Sequence, residues 1–170
     1  MIYWDMYTHE SGFRFLIAAT DKGLCFTGSD GQEVEELVAW AHKKRRGNPI
    51  EKNAAQLMPY KRAFDAFFEG TSKQFDMPLD VVGTPFQMQV WEALQSIPFG
   101  GTCCYGDIAQ AIQKPNAVRA VGGAIGANPV MIVIPCHRVI GKNGTLTGFR
   151  GGLQLKERLL RFEQGESRLN

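Results

Sequence analysis

The chain changes character at Thr84-Pro85-Phe86-Gln87, and that change limits the fold more than any other feature. Thr84 is a good helix N-cap, Pro85 suits a first helical turn, and Gln87 completes a capping box. Phe86, Val90 and Leu94 then recur at i, i+4 and i+8, so a helix begins here. The chain before this point starts with strands. Ile2 to Tyr7 and Phe13 to Ala19 are rich in β-branched and aromatic residues, and Asp21-Lys22-Gly23 supplies a turn into a returning strand over Leu24 to Thr27. Two helices follow. Glu33 to Arg46 carries Val34, Leu37, Val38 and Ala41 on one stripe, and Ala54 to Phe68 carries Leu57, Tyr60, Phe64, Phe67 and Phe68. Residues 71–83 read as a strand plus linker. The expectation is an α+β chain of two domains, 1–83 and 84–170.

The second half reads as short helices. Pro98-Phe99-Gly100-Gly101 breaks the first; Tyr105 to Gln113 and Ala117 to Gly126 then flank the turn Lys114-Pro115-Asn116. Two short helices about a tight turn make a helix-turn-helix candidate, a common spacing with little specificity. Charge adds a second hint. Residues 1–83 hold ten Lys and Arg against twelve Asp and Glu, a net of −2; residues 84–170 hold nine against five, a net of +4. One half meeting a polyanion and an ordinary solvated surface both fit that asymmetry. The run Lys43-Lys44-Arg45-Arg46 reads more simply as the charged end of a helix. The helix Ala117 to Gly126 is the odd element, because Gly122, Gly123 and Gly126 each cost about 1 kcal/mol relative to alanine inside a helix. Either close helix packing or close approach to a nucleic-acid backbone explains them, with Arg119 the single long charged side chain on the surface.

Several classes fall away. With 44% hydrophobic residues the chain can bury a core, and no apolar run approaches the roughly 18–20 residues of a membrane span. Met1-Ile2-Tyr3-Trp4-Asp5 lacks the order of a signal peptide. Four cysteines without an export signal read as reduced thiols in a cytoplasmic protein. Cys25 reads as core, Cys103 and Cys104 are adjacent, and with His9 and His42 they form no ligand spacing, so no metal is expected.

Chemistry concentrates at Met131-Ile132-Val133-Ile134, a strand-type run that feeds into Pro135-Cys136-His137-Arg138. A thiol there is rigidly aimed, but a free cysteine is only about 3% thiolate at pH 7. A nucleophilic Cys136 therefore needs a base. His137 is its sequence neighbour, and neighbours rarely face each other, so a bridging water would have to connect them. Taken alone, the pair is more simply a buried structural cysteine beside a satisfied core histidine.

Pro135-Cys136-His137-Arg138-Val139-Ile140-Gly141 resembles the active-site signature of the O6-alkylguanine-DNA alkyltransferases. Pro98-Phe99-Gly100, Tyr105-Gly106-Asp107-Ile108-Ala109, Arg119-Ala120-Val121-Gly122-Gly123-Ala124, Asn128-Pro129-Val130 and Gly148-Phe149 through Gly151-Gly152-Leu153 are similar to that family's other motifs, in its order. The resemblance is strong over about residues 84–164. It implies a ribonuclease-H-like N-terminal domain, a mostly helical winged-helix-like catalytic domain, and DNA repair by irreversible, single-turnover transfer of an alkyl group from O6-alkylguanine to Cys136, with O4-alkylthymine a further candidate substrate. It further implies His137 as a base acting through water, Glu163 as its orienting carboxylate, and Tyr105 as donor to the departing guanine. The DNA-facing set it implies is Tyr105, Arg119, Ala120, Gly123 and Ile125, with Arg119 filling the gap left by the extruded base. The pocket set is Asn128, Val139, Phe149, Arg150 and Lys156. The expected partner is duplex DNA, met through its minor groove by a monomer, with no cofactor and no membrane.

Three departures accompany the resemblance. Cys104 stands where a serine or threonine often precedes the tyrosine, Phe149 where some relatives carry tyrosine, and Arg150 replaces a smaller residue at the pocket rim, where it would alter which alkyl groups fit. Two other readings stay open: a non-catalytic lesion binder, which Cys136 argues against, and a cysteine hydrolase, which leaves the glycine-rich helix unexplained.

Overall fold

The computed structural model describes residues 1–165; the last five residues of the expected 84–170 domain lie outside the described part. The chain forms two compact units, Met1–Val81 and the part from Val82 onward.

In the first unit β1 (Ile2–Thr8), β2 (Arg14–Thr20) and β3 (Gly23–Thr27) form an antiparallel meander. β4 (Ile50–Lys52) adds in parallel to β1, giving the order β3-β2-β1-β4. Side chains alternate across a strand. Ile2, Leu16 and Ala18 meet Leu37 and Ala41 of α1 (Val34–Lys44) on one face. Tyr7 and Phe15 meet Phe64 of α2 (Ala54–Phe68) on the other, with ring centroids 5.2–5.4 Å apart. Both faces are covered, which is why β2 reads as a nearly unbroken apolar run. Tyr7 donates to Asp65 Oδ1 at 2.8 Å across that second face.

Three expectations need correction. Val38 is exposed, because α1 buries a narrower stripe than the periodicity suggests. The strand β4 was not expected; Ile50-Glu51-Lys52 is too short and too charged to stand out, and it is strand only by pairing with β1. Residues 71–83 form no strand beyond a single bridge of Leu79 to Leu24. That segment is held instead by Leu24 N donating to Pro78 O at 3.0 Å, Asp80 N to Leu24 O at 2.8 Å, and an ion pair of Arg45 with Asp80 at 2.9 Å. Gly23 is required here, since a Cβ would lie 2.5 Å from Pro78 O.

The second unit starts with α3 (Pro85–Leu94). Its capping box is complete: Gln87 N donates to Thr84 Oγ1 at 3.1 Å, and Thr84 N to Gln87 Oε1 at 3.0 Å. Val90, Trp91 and Leu94 are buried. α4 (Tyr105–Ala111) and α5 (Val118–Gly126) form the helix-turn-helix pair and pack on α3; Trp91 Nε1 donates to Ala124 O at 2.8 Å. The two-residue strands β5 (Cys103–Cys104) and β6 (Val139–Ile140) pair in parallel, and α6 (Leu153–Glu163) follows. Among the described residues no helix is long and apolar enough to cross a membrane.

Candidate active site

The pairing of β5 with β6 sets the site. Tyr105 follows β5 directly, and Cys136-His137-Arg138 precedes β6 directly as one 3₁₀ turn, so one short ladder fixes both ends. The run Met131–Ile134, expected as a strand, is instead a buried turn. Ile132 has φ +78°, a conformation costly for a β-branched residue, and Ile134 N donates back to Val130 O at 3.0 Å. Asn128 ties this turn from inside: its Oδ1 accepts from Val130 N at 2.9 Å, and its Nδ2 donates to Ile134 O at 2.8 Å. Cys136 N then donates to Ile134 O at 2.7 Å, which aims the thiol from a closed knot of backbone.

Cys136 is 3% exposed. Burial pushes its thiol pKa up, against the Asn128 amide hydrogen bond and the charges of Arg150 and Lys156. The resting thiol is thus protonated and must lose its proton to react. His137 is fully buried, and burial pushes its pKa down against the pull of Glu163, so the ring is neutral near pH 7 and free to accept a proton. His137 Nε2 and Glu163 Oε2 lie 2.6 Å apart, while His137 Nδ1 is buried with no hydrogen-bond partner among the described residues. A buried polar atom left over on such a ring is costly unless something outside the protein meets it.

Sequence reasoning assigned Arg138 no role, yet it organises the cluster. Its Nε donates to Glu163 Oε1 at 2.8 Å, Nη2 to Glu163 Oε2 at 3.0 Å, and Nη1 to Ile97 O at 2.7 Å. Gly100 N adds a fourth donor to Glu163 at 3.2 Å. Burial alone would raise the Glu163 pKa, but the His137 hydrogen bond, the charge of His137 once it is protonated in acid, and the Arg138 guanidinium hold it at about 2. The available signal was an arginine inside an apolar run, which must find a buried carboxylate.

The remaining expected residues divide. Tyr105 is half-buried, its ring 3.8 Å from where a Cβ on Gly122 would sit, and its hydroxyl lies 2.6 Å from Thr147 Oγ1. Lys156 is buried and donates to Val139 O at 2.6 Å and Thr147 O at 3.2 Å; burial lowers its pKa. Phe149 lies with its ring 6.0 Å from that ammonium. Arg119, Ala120 and Gly123 are exposed along α5, and a Cβ on Gly123 or Gly126 would meet nothing within 4 Å. Packing against the rest of the unit therefore does not account for those two glycines.

Three placements differ from expectation. Ile125, expected toward DNA, is buried, because it falls on the same side of α5 as Val121 and Ala124. Val139, expected at the pocket, is fully buried in the β5–β6 ladder and offers only its carbonyl. Arg150, expected to select alkyl groups, is committed to backbone: its Nη2 donates to Asn128 O at 3.2 Å and Pro129 O at 3.3 Å, carbonyls just past the C-terminus of α5, where a cation suits the dipole.

Two family models match. Residues 2–81 match the 6-O-methylguanine DNA methyltransferase, ribonuclease-like domain, and residues 85–165 match the 6-O-methylguanine DNA methyltransferase, DNA binding domain. The inducible methylated-DNA--protein-cysteine methyltransferase of Bacillus subtilis is 49% identical, across 98% of this chain and 92% of that one. The methylated-DNA--protein-cysteine methyltransferase of Haemophilus influenzae is 41% identical, across 96% of this chain and 87% of that one. The solved structure of Mycobacterium tuberculosis OGT in complex with DNA superposes with a TM-score of 0.79 at 34% identity, across 95% of this chain and 92% of that one. Two matched domains in tandem, spanning nearly every residue, and a relative 49% identical across 98% of the chain leave one conclusion: this chain belongs to the 6-O-methylguanine DNA methyltransferase family.

Proposed function

We propose that the chain repairs DNA by moving an alkyl group from O6-alkylguanine to Cys136 in a single irreversible turnover. The observation that carries this reading is the buried His137–Glu163 pair, with His137 next in sequence to Cys136 and the Nδ1 of its neutral ring left unpartnered among the described residues. One water between the thiol and Nδ1 would take the proton to His137. The sulfur then bonds the alkyl carbon, the carbon–O6 bond breaks, and its electron pair leaves with guanine. Tyr105 donates to the departing purine and neutralises it. Glu163, ionised throughout the neutral range, stabilises the imidazolium that forms. The product is a thioether, which has no route back to thiol here.

Duplex DNA is the partner, consistent with the DNA-bound relative. A base still stacked in the duplex cannot reach a buried thiol, so the target nucleotide must be turned out. The exposed Arg119 and the unobstructed glycines of α5 suit approach to a minor groove by a small-residue helix. A monomer suffices, since the proposed groups all belong to one unit of one chain.

Intact mass after incubation with O6-methylguanine DNA tests the transfer. One methyl in place of one hydrogen per protein is expected, and demethylated product with unmodified protein would instead indicate a hydrolase. Arg119→Ala tests extrusion. It should slow repair of duplex about tenfold or more relative to reaction with free O6-benzylguanine, because unstacking is worth a few kcal/mol. Equal losses on both substrates would remove Arg119 from that role.

A further inference from the structure

We infer that Thr147 is a positioning residue for alkyl transfer, acting through the hydroxyl of Tyr105. This rests on the reading of Tyr105 as donor to the departing guanine.

The two hydroxyl oxygens lie 2.6 Å apart, forty-two residues apart in sequence. Thr147 reaches that position by construction. Its carbonyl accepts from Lys156 Nζ at 3.2 Å, and the same ammonium donates to Val139 O at 2.6 Å, three residues after the thiol. The loop before it is closed by Gly141 N donating to Thr145 O at 2.8 Å and Gly144 N to Gly141 O at 2.9 Å. Gly141 has no room for a side chain: a Cβ would sit 2.4 Å from Thr145 Oγ1 and 3.3 Å from Thr147 Cγ2. Lys156 and Gly141 thus fix Thr147 against the strand that follows Cys136, and β5 fixes Tyr105 against that same strand.

The chemistry follows from counting hydrogens. Each hydroxyl has one, and in the resting pair either oxygen can donate. Once Tyr105 gives its hydrogen to guanine, the only hydrogen left within the pair is that of Thr147. Thr147 must then donate to the phenolic oxygen, and it does so as negative charge develops there. A donor aimed at developing charge stabilises the transition state more than the ground state. In the arrangement where Thr147 donates, the phenol hydrogen is left free for the substrate. It never touches the substrate.

The test uses full-length protein and free O6-benzylguanine, so that DNA binding does not enter. Thr147→Val keeps the shape and removes the donor, and it should slow transfer about ten- to a hundredfold, the range of a hydrogen bond to a charged group. Thr147→Ser should restore most of the rate. In a Tyr105→Phe background, Thr147→Val should produce no further loss. Wild-type rates for Thr147→Val, or a full additional loss in the Tyr105→Phe background, overturn the inference. Thr147→Ser as slow as Thr147→Val, with both melting at the wild-type temperature, does so too. A Tyr105→Phe variant at the wild-type rate overturns the reading of Tyr105 itself, and a slow Tyr105→Phe beside a fast Thr147→Val removes Thr147 alone.

Discussion

Alanine at position 136 is expected to abolish alkyl transfer while leaving DNA binding intact. Mass spectrometry of Cys136→Ala after exposure to O6-methylguanine DNA should show no gain at any time, and gel-shift affinity for the same duplex should stay within about threefold of wild type. The separation follows from placement. The thiol is 3% exposed and hydrogen-bonded to Asn128, whereas Arg119, Ala120 and Gly123 of α5 are exposed. Removing one sulfur from the interior changes no surface charge. Cys136→Ser should also fail, because a hydroxyl is a far weaker acid than a thiol and His137, with its lowered pKa, is too weak a base to ionise it. Methylation of the alanine variant at the wild-type rate would move the nucleophile to another cysteine.

Arg138→Met should be the most damaging change outside the thiol. It leaves Glu163 buried without the guanidinium that meets both its oxygens at 2.8 and 3.0 Å. Breaking a buried pair on one side costs about 3–5 kcal/mol, read as a lower urea midpoint. Holding the Glu163 pKa below its ordinary 4.5, at about 2, adds stability at neutral pH. The sign is that of a depressed carboxylate: this stability is complete above pH 4.5 and is lost as pH falls toward 2. Without Arg138 the Glu163 pKa rises, so the contribution shrinks and acid unfolding begins at higher pH. Arg138 also depresses the His137 pKa. Its removal raises that value, so the acid limb of the transfer rate should move to higher pH. Unchanged urea and pH profiles would show that Glu163 does not depend on Arg138.

Much of the frame was legible because it rests on local rules. The capping box at Thr84, the amphipathic run of α2 and the β-branched and aromatic content of β1 each depend on residues within a few positions of one another. What escaped depends on partners far along the chain. Ile50-Glu51-Lys52 has no strand signal of its own, and residues 71–83 are shaped by Arg45 and Leu24 rather than by their own pattern. In the site, Cys136, His137 and Glu163 were found through a motif, and the distance between His137 and Glu163 could not have been. Arg138 and Thr147 were passed over because their work lies in bonds spanning 25 and 42 residues, which no local window contains. The hold of the carbonyls past α5 on Arg150 escaped for the same reason, since its bonds span 21 and 22 residues.

The three glycines of α5 carry a cost that the rest of the unit must meet. Nine residues with that content would not stay helical in water alone. α5 keeps its form because Trp91 grips its backbone at Ala124 and because Val121, Ala124 and Ile125 are sunk into neighbouring elements. The outer face of α5 is therefore a borrowed shape, lent by a tryptophan on another helix. Loosening that indole would unravel α5 without altering a single atom on its outer side.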